Sequence, residues 1–416
     1  MIKLFQIGAR NIFRNKRRMR LTIMVILIGV IVSTMLRGFI RAIQAELRET
    51  VTASQTGDLQ VFRENYFNAI DVMPLDLTIK DGSKEIGVLK ESAGVLSFTP
   101  RLKFNGILSR GSQNTPFIAV AFDPGSALAV CPRILDTIKE GSFISQQEPN
   151  KIVISEQLAD SLGVGLEDNL ILLVKTRDGT LNTTYAAIGG IFKTMILGDK
   201  HLIYTNLYMA RELLDIGAES TEIAIKINDP GQVDKIKSQL ESSFKSRGLA
   251  VDVKTWEQIM GFFANVMKIQ NVFNIVIILI LFALVTATIV NTVLMTVYER
   301  TKEIGVMRAI GMKAKQVKHL FLIEGFFYGF SGGLLGNIIT LLIMFFIKLK
   351  GGIVYTLASE MGAAKPWVLF PNVSLAFRLF ILIFAGVCGM IASLYPARKA
   401  SKMKIVDVLH ERELYK

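Results

Sequence analysis

The chain contains little cysteine and histidine, which excludes disulfide-rich and metal-cluster proteins. Of 416 residues, two are cysteine and three are histidine. Cys131 lies in a hydrophilic region and Cys388 in an apolar run, so no disulfide framework is expected. His201, His319 and His410 are far apart in sequence, so no metal site is predicted.

The chain also lacks a phosphate-binding loop. The pattern G-x-x-x-x-G-K-[S/T] does not occur, so this sequence has no phosphate-cradling loop of that kind. No Ser/His/Asp or Cys/His grouping is indicated, and no apolar run carries the series of ionisable residues typical of a proton-coupled carrier. We therefore predict no catalytic residue, cofactor or metal in this chain.

The chain does contain long apolar runs flanked by basic segments. Hydrophobic residues make up 51% of the sequence and the mean hydropathy is +0.42, which indicates a membrane protein. Residues 1–20, 298–318 and 397–416 have net charges of +7, +4 and +3, so the remainder is nearly neutral within a total of +13. This distribution follows the positive-inside rule and argues against a nucleic-acid partner.

The apolar runs predict four transmembrane helices with a large outer region between the first two. A signal peptide is rejected because the first run has about the 20 residues that a span needs and no small-residue cleavage site follows. In order, we predict an amphipathic interfacial helix at 1–20, a first span at 21–40, an outer domain with stalk helices at 41–271, a second span at 272–297, an inner helix at 298–318, a third span at 319–347, an outer loop at 348–373, a fourth span at 374–396 and an inner tail at 397–416.

The outer region reads as a two-lobed α/β domain. Strand-like pieces, among them 58–62, 151–154 and 222–227, alternate with turn signals. Ser155 and Gly163 are placed to begin and end a short helix. Between this region and the second span, four apolar residues step by three, four and three, which predicts a seam along one incoming stalk helix. These are Trp256, Ile259, Phe263 and Val266.

The inner segment at 298–318 is charged and has a helical pattern. Ile304, Met307 and Ile310 fall on one predicted face, and Gly311 is predicted to end the helix. Two interpretations stay open from the pattern: a helix that docks into another protein, and a solvated basic loop that only sets topology. In the third span, four glycines at near-helical spacing predict close helix packing. They are Gly325, Gly329, Gly333 and Gly336.

Glu324 lies about one turn inside the third span. It is either an acid at the membrane interface or a partner for basic residues of the inner segment, and we favour the pair because an unpaired acid in a membrane is costly. Arg37, near the far end of the first span, is predicted to extend toward the membrane surface.

Several segments together resemble the FtsX-like/MacB-like permeases of ABC transporters, which have the type VII fold. The carrying segments are GARNIFRNKRRMRLTIMVILIGV near the start, ERTKEIGVMRAIGMKAKQV between the second and third spans, YPARKASKMKIVDVL after the fourth, and TPRLKFNGIL, IAVAFDPGSAL and EGSFISQQEPNKIVISEQLADSLGVGLEDNL in the outer region. The chain departs from the pattern at Ile405, where the family usually has proline, and at Leu166-Glu167-Asp168, which replaces Pro-Gly-Asp.

The resemblance implies a membrane α-helical fold with four transmembrane helices and a large extracytoplasmic α/β two-lobed domain, the MacB-like periplasmic core, between the first and second. It implies a second permease subunit, identical or paralogous, and a cytoplasmic ATPase dimer that binds ATP and magnesium. The inner helix would be the coupling helix, and ATPase closure would move the outer domain by mechanotransmission. By position, the coupling residues would be Glu299, Arg300, Glu303, Gly305, Arg308 and Gly311.

Size and layout resemble the LolC/LolE-type subunits most. This implies a multi-pass protein of the bacterial inner membrane, in contact with membrane lipid, with both termini cytoplasmic. It would pass lipoproteins to a periplasmic chaperone. Two alternatives are a MacB-type efflux permease for drugs or peptides and a membrane scaffold that transports nothing.

Overall fold

The computed structural model describes residues 16–193, 199–360 and 365–403, and the chain divides into two compact units. A helical unit contains residues 16–44, 266–353 and 368–403, and an α/β unit contains residues 45–193, 199–265, 354–360 and 365–367. Most of the predicted N-terminal interfacial helix, and most of the predicted tail, lie outside the described residues.

Four helices in the described ranges are long and apolar enough to cross a membrane. They are α1 (Lys16–Val51), α8 (Gly261–Glu299), α10 (Ala314–Leu349) and the pair α12 (Leu375–Ala392) and α13 (Leu394–Ser401). A short helix, α9 (Thr301–Ala309), lies between α8 and α10. The predicted fold of four transmembrane helices with an α/β domain between the first two is confirmed.

The helical unit has a buried seam and an apolar outer surface. Ile26 and Ile289 are fully buried within it, and the hydroxyls of Thr22 and Thr292 lie 2.9 Å apart between α1 and α8. By contrast, Leu284 is 62% and Phe345 is 53% exposed. Helices that present apolar side chains outward over this length fit a lipid environment, where water cannot satisfy polar groups.

Beyond the predicted first span, α1 continues as one helix to Val51 and then forms a π-helical turn, Thr52–Thr56. The predicted outgoing stalk is thus confirmed. On its inner part, the Gln44 side-chain amide donates to the carbonyl oxygen of Met267 at 3.3 Å, so the two stalk helices lie side by side at this level. The predicted continuous seam on the incoming stalk is wrong, because the helix is interrupted at Met260. Trp256 therefore belongs to a separate short helix.

The α/β unit is built on a ten-stranded sheet. Its strands are β1 (Leu59–Arg63), β3 (Val95–Arg110), β4 (Gln113–Phe122), β5 (Ile138–Gly141), β6 (Lys151–Ser155), β7 (Asn169–Lys175), β8 (Leu181–Phe192), β9 (Leu202–Asn206), β11 (Glu222–Ile227) and β12 (Val251–Thr255). Four shorter strands lie outside it: β2 (Ile79–Lys80), β10 (Glu219–Ser220), β13 (Ile353–Tyr355) and β14 (Trp367–Leu369).

Helices flank these strands. They are α2 (Lys84–Glu91), α3 (Pro124–Val130), α4 (Glu156–Leu162), α5 (Leu207–Leu214), α6 (Val233–Ser246), α7 (Trp256–Ile259) and α11 (Leu357–Glu360). The predicted strands at 58–62, 151–154 and 222–227 are confirmed within one residue. Both cysteines are free, as predicted.

The 16-residue strand β3 joins the two lobes. Its first part pairs with β11, while its second part pairs with β4 on one edge and β7 on the other. Separate hydrophobic cores lie on either part: one contains Leu59, Ile225 and Phe244, and the other contains Phe104 and Leu170. The two predicted lobes therefore exist as two cores, but one continuous sheet runs through both.

The helix predicted at Ser155 is confirmed with both of its ends. The Ser155 hydroxyl accepts a hydrogen bond from the Leu158 amide at 3.3 Å, which satisfies a donor at the N-terminus of α4. Gly163 follows the helix with φ of 60°, the left-handed conformation that favours glycine.

Candidate functional site

The charged segment between α8 and α10 forms a short helix with a turn on each side. Arg300 separates α8 from α9, and α9 ends at Ala309. Gly311 then adopts φ of 102°, and its amide donates to the Arg308 carbonyl at 3.0 Å. A residue with a side chain is strained at this φ, so glycine here lets the chain reverse into α10.

Glu299, the last residue of α8, is held by the start of α1. The Arg18 guanidinium donates two hydrogen bonds to its carboxylate, Nη1 to Oε2 at 2.8 Å and Nη2 to Oε1 at 2.7 Å. This bidentate geometry is the strongest arrangement for an arginine–carboxylate pair. Both side chains remain partly exposed. From the sequence, Arg18 is expected to meet lipid head groups with the other basic residues of 1–20, so its pairing with Glu299 was not predicted.

Arg300 connects α9 to the interior of α10. Its Nε donates to Oε2 of Glu303 at 3.1 Å, and its Nη1 lies 3.7 Å from Oε2 of Glu324. The Glu324 side chain is only 2% exposed. The predicted pairing of Glu324 with a basic residue of the inner segment is thus observed. It gives α9 a charged anchor in the helical unit.

Arg308 binds the C-terminal end of α13. Its Nη1 donates to the carbonyl oxygens of Ser401 at 3.3 Å and Met403 at 2.5 Å. The last carbonyls of a helix lack internal partners and carry partial negative charge, so a guanidinium is favourable there. Lys399 of α13 also lies over the Tyr298 ring, with Nζ 4.8 Å from its centroid. The segment is therefore connected to α1, α10 and α13.

The six predicted coupling residues thus lie mainly on the side of α9 that faces the helical unit. Glu299, Arg300, Glu303 and Arg308 have partners inside that unit, Gly305 is buried beside Ile304, and Gly311 forms the exposed turn.

The outward face of α9 is apolar and basic. Val306 is 50% and Ile310 is 81% exposed, whereas Ile304 is 1% exposed. Lys302 and Lys313 are exposed on the same segment. The sequence prediction of one stripe with Ile304, Met307 and Ile310 is wrong at Ile310, because the helix ends at Ala309 and the turn directs Ile310 to solvent. The exposed pair Val306 and Ile310 was missed, although its four-residue spacing was readable.

The glycines of α10 lie where other helices approach most closely. A Cβ on Gly325 would lie 2.7 Å from Cβ of Ser393, and one on Gly333 would lie 3.2 Å from Cβ of Ala385. Gly329 approaches the Ala385 backbone still more closely. Gly336 faces the opposite way, where a Cβ would lie 2.9 Å from Val30 of α1. Small residues here allow α10 to pack on both α12 and α1.

The α/β unit contains a small cavity of about 120 Å³. Arg101 lies at its wall, 3% exposed, with Nη1 3.8 Å from Oε1 of Glu222 and the guanidinium 5.7 Å from the Phe122 ring centroid. Its Nη2 donates to the Cys131 sulfur at 3.1 Å. These contacts neutralise a buried cation that the sequence analysis did not identify.

Comparison with known proteins places these features in a family. Residues 20–243 match the model of the MacB-like periplasmic core domain, and residues 275–405 match that of the FtsX-like permease C-terminal region. The chain therefore belongs to the FtsX-like/MacB-like permeases of ABC transporters. It is a multi-pass membrane protein with a periplasmic-type domain.

Three relatives show how far the similarity extends. An uncharacterized ABC transporter permease of Methanocaldococcus jannaschii is 21% identical over 411 residues, which is 96% of both chains. The lipoprotein-releasing system transmembrane protein LolC of Haemophilus influenzae is 25% identical over 269 residues, 61% of this chain and 62% of LolC. The macrolide export ATP-binding/permease protein MacB of Pasteurella multocida is 32% identical over 123 residues, 30% of this chain and 17% of MacB.

Proposed function

We propose that this permease works with a separate cytoplasmic ATPase dimer, which binds ATP and magnesium, and that α9 is the helix on which the ATPase acts. The observation that carries the proposal is the division of α9 into two faces. Glu299, Arg300 and Arg308, in or next to α9, hold α1, α10 and α13. Val306 and Ile310 are exposed beside lysines. A surface that joins exposed apolar residues to cations suits a protein groove with an acidic rim.

In this arrangement the six predicted residues act mainly by positioning. Arg300 and Glu324 would transmit a push on α9 into α10, and Arg18 with Glu299 would transmit it into α1. Helix α1 is continuous from Lys16 to Val51, so a displacement of its inner end would be carried along the helix. This is the mechanotransmission expected of the family. The inner side of the membrane would then hold α9 and both termini.

Cysteine cross-linking tests the docking face. In a chain with Cys131 and Cys388 replaced by alanine, Val306→Cys and Ile310→Cys should cross-link to a cysteine-bearing ATPase that co-purifies with the permease. Ile304→Cys, on the same helix but 1% exposed, is the matched control and should not react. Equal cross-linking at all three positions, or none at Val306 and Ile310, would contradict the docking face.

The positioning role has its own test. Glu303→Lys and Arg308→Glu reverse charges that are paired inside the helical unit. We expect ATPase binding to weaken and ATP turnover to uncouple from substrate movement, while Lys302→Glu, on the exposed surface, should change binding without loosening α9. Unchanged ATPase binding in both charge-reversal variants would favour the membrane-scaffold alternative.

For the substrate, we propose a lipoprotein extracted from the membrane and passed to a periplasmic chaperone, with a second permease subunit completing the complex. The similarity to LolC over 269 residues supports this assignment. The test is ATP-dependent release of an acylated protein from proteoliposomes that contain the permease pair and its ATPase. Turnover of ATP without release would reject the lipoprotein substrate and leave the docking proposal standing.

The MacB-type efflux alternative is supported by the 32% identity to MacB over 123 residues. Increased drug or peptide sensitivity of a strain that lacks this chain, together with normal lipoprotein sorting, would favour it.

A further inference from the structure

Arg37 lies inside the helical unit at the end opposite α9. It is 17 residues beyond Arg20 on α1, about 25 Å along the helix at 1.5 Å per residue. Its Nη1 donates to Oδ1 of Asn271 at 3.0 Å, and its guanidinium lies 5.9 Å from the Phe377 ring centroid. Its Nε is buried and has no hydrogen-bond partner. Part of this cation is therefore unsatisfied.

Arg378 of α12 is next to this position. Its Nε donates to the Val373 carbonyl at 3.3 Å, and its Nη2 lies 3.3 Å from the Met344 sulfur. A Cβ on Gly38, the neighbour of Arg37, would lie 2.6 Å from the Met344 methyl carbon and 3.1 Å from Val373. The two arginines thus flank the same side chains. Nη1 of Arg378 is also buried without a partner.

No carboxylate in the described residues of the helical unit lies at this end. The three acids in those ranges are Glu299, Glu303 and Glu324, and all lie on or beside the α9 end. Glu324 is 20 residues before Met344 on α10, which is about 30 Å along the helix. Arg41, exposed one turn after Arg37 on α1, adds a further positive charge at this end.

Other buried polar atoms nearby lack partners as well. Thr34 lies one turn before Arg37, and Asn274 one turn after Asn271; the Thr34 hydroxyl and the Asn274 amide nitrogen are both buried and unpaired. Each such group destabilises the folded protein when it is left unsatisfied. A polar ligand bound at this site would supply hydrogen bonds to groups that find no partner within the described part of the protein.

We propose that Arg37 and Arg378 bind the phosphate of an anionic phospholipid head group. The arginine fork matches phosphate oxygens, and basic pockets between transmembrane helices suit anionic head groups. A lipid is favoured over free phosphate because apolar side chains border the site and can cover acyl chains: Leu375 is 71%, Phe273 is 64% and Leu379 is 51% exposed. The site is independent of the ATPase and of the substrate.

The experiment uses the full chain, delipidated in a neutral detergent. Phosphatidylglycerol, phosphatidylcholine and inorganic phosphate are added in separate arms, and binding is measured by the shift in Tm and by retained lipid in native mass spectrometry. We expect phosphatidylglycerol to bind the unmodified chain most tightly. Arg37→Gln and Arg378→Gln should each weaken its affinity at least tenfold, and the double variant should add little. Lys350→Gln, an exposed cation at the same end of α10, is the control and should bind normally.

Arg41→Gln keeps the test decisive if the buried variants do not fold, since Arg41 is exposed. It should weaken phosphatidylglycerol binding about threefold, whereas Lys350→Gln should not. Unchanged affinity in the arginine variants that fold, or an equal loss in Lys350→Gln, would overturn the site. An equal shift with inorganic phosphate alone would overturn the assignment to a lipid.

Discussion

The Arg18 guanidinium and the Glu299 carboxylate lie face to face, joined by two hydrogen bonds of 2.7 and 2.8 Å. The two residues are 281 positions apart, at the start of α1 and the end of α8. The contact fixes the point from which α9 departs. Its exposure, 28% for Arg18 and 40% for Glu299, nevertheless limits its effect on stability, because water and salt screen the charges.

We therefore expect Glu299→Gln to lower the free energy of unfolding by no more than about 1 kcal/mol, but to reduce ATP-driven activity clearly. The physical reason is that α9 loses its fixed position while the helical unit stays folded. Thermal unfolding and turnover are measured in parallel, with the charge swap of Arg18→Glu and Glu299→Arg as rescue. A large stability loss, or unchanged turnover, would contradict this interpretation.

The Arg300–Glu324 pair should behave in the opposite way. The Glu324 side chain is 2% exposed and that of Arg300 is 13% exposed, so removing the guanidinium leaves a buried charge without its counter-ion. We expect Arg300→Ala to cost about 3–5 kcal/mol of unfolding free energy. Adding Glu324→Gln should recover much of that loss, because the buried charge is removed with its partner.

A double-mutant cycle on chemical unfolding measures this coupling. Lys302→Ala, two residues away and exposed, is the control and should change stability by less than about 0.5 kcal/mol. Additive losses for Arg300→Ala and Glu324→Gln would show that the two side chains do not depend on each other.

The sequence was sufficient for elements with local signals. The helix from Ser155 and the strand at Glu222 were predictable because capping and alternation involve neighbours in the chain. It was not sufficient where distant residues decide. The shared strand β3 depends on partners from three other strands, and the end of α9 directs Ile310 outward against its periodicity.

The contacts around α9 were predictable only in part for the same reason, because they join residues that are distant in the sequence. Glu324 could be matched to a basic residue by the cost of an unpaired acid, but the choice of Arg300 needed the fold. The contact of Arg308 with the end of α13 joins residues more than 90 positions apart, and no pattern in the sequence indicates it.

Glu219 in the α/β unit gives the unit an acid-sensitive contact. Hydrogen bonds from Arg177, foremost, and from Thr78 hold the pKa of its carboxyl below the ordinary value of 4.5. The folded state thus binds a proton less readily than the unfolded state. The ionised Glu219 carboxylate therefore contributes to the free energy of unfolding above pH 4.5, and this contribution is lost as the pH falls through the lowered pKa.

We expect Glu219→Gln to flatten the fall in Tm of the full chain as the pH drops below 4.5 and through the lowered pKa of Glu219. Near pH 7 the variant should be less stable than the unmodified chain, and the difference should shrink as the pH falls. Glu91→Gln, whose partner Arg247 lies at an exposed position, is the control. A parallel pH dependence in the Glu219 variant and the unmodified chain would reject the linkage.

The close approach of α10 and α12 depends on Gly329. A Cβ there would overlap the Ala385 backbone and lie 3.0 Å from Cα of Gly386, and backbone atoms cannot rotate away as a side chain can. We expect Gly329→Ala to cost about 1–3 kcal/mol of unfolding free energy by forcing the helices apart.

Gly87→Ala is the matched control: Gly87 lies in α2 with nothing within 4 Å of its Cβ position, so alanine should stabilise the helix by about 0.5–1 kcal/mol. Chemical unfolding of both variants decides, because equal effects would mean that α10 and α12 tolerate a methyl group at their contact. Since α10 also holds Glu324, the Gly329 variant should in addition lose ATP-driven activity in proportion to the displacement of α10, whereas the Gly87 variant should keep it.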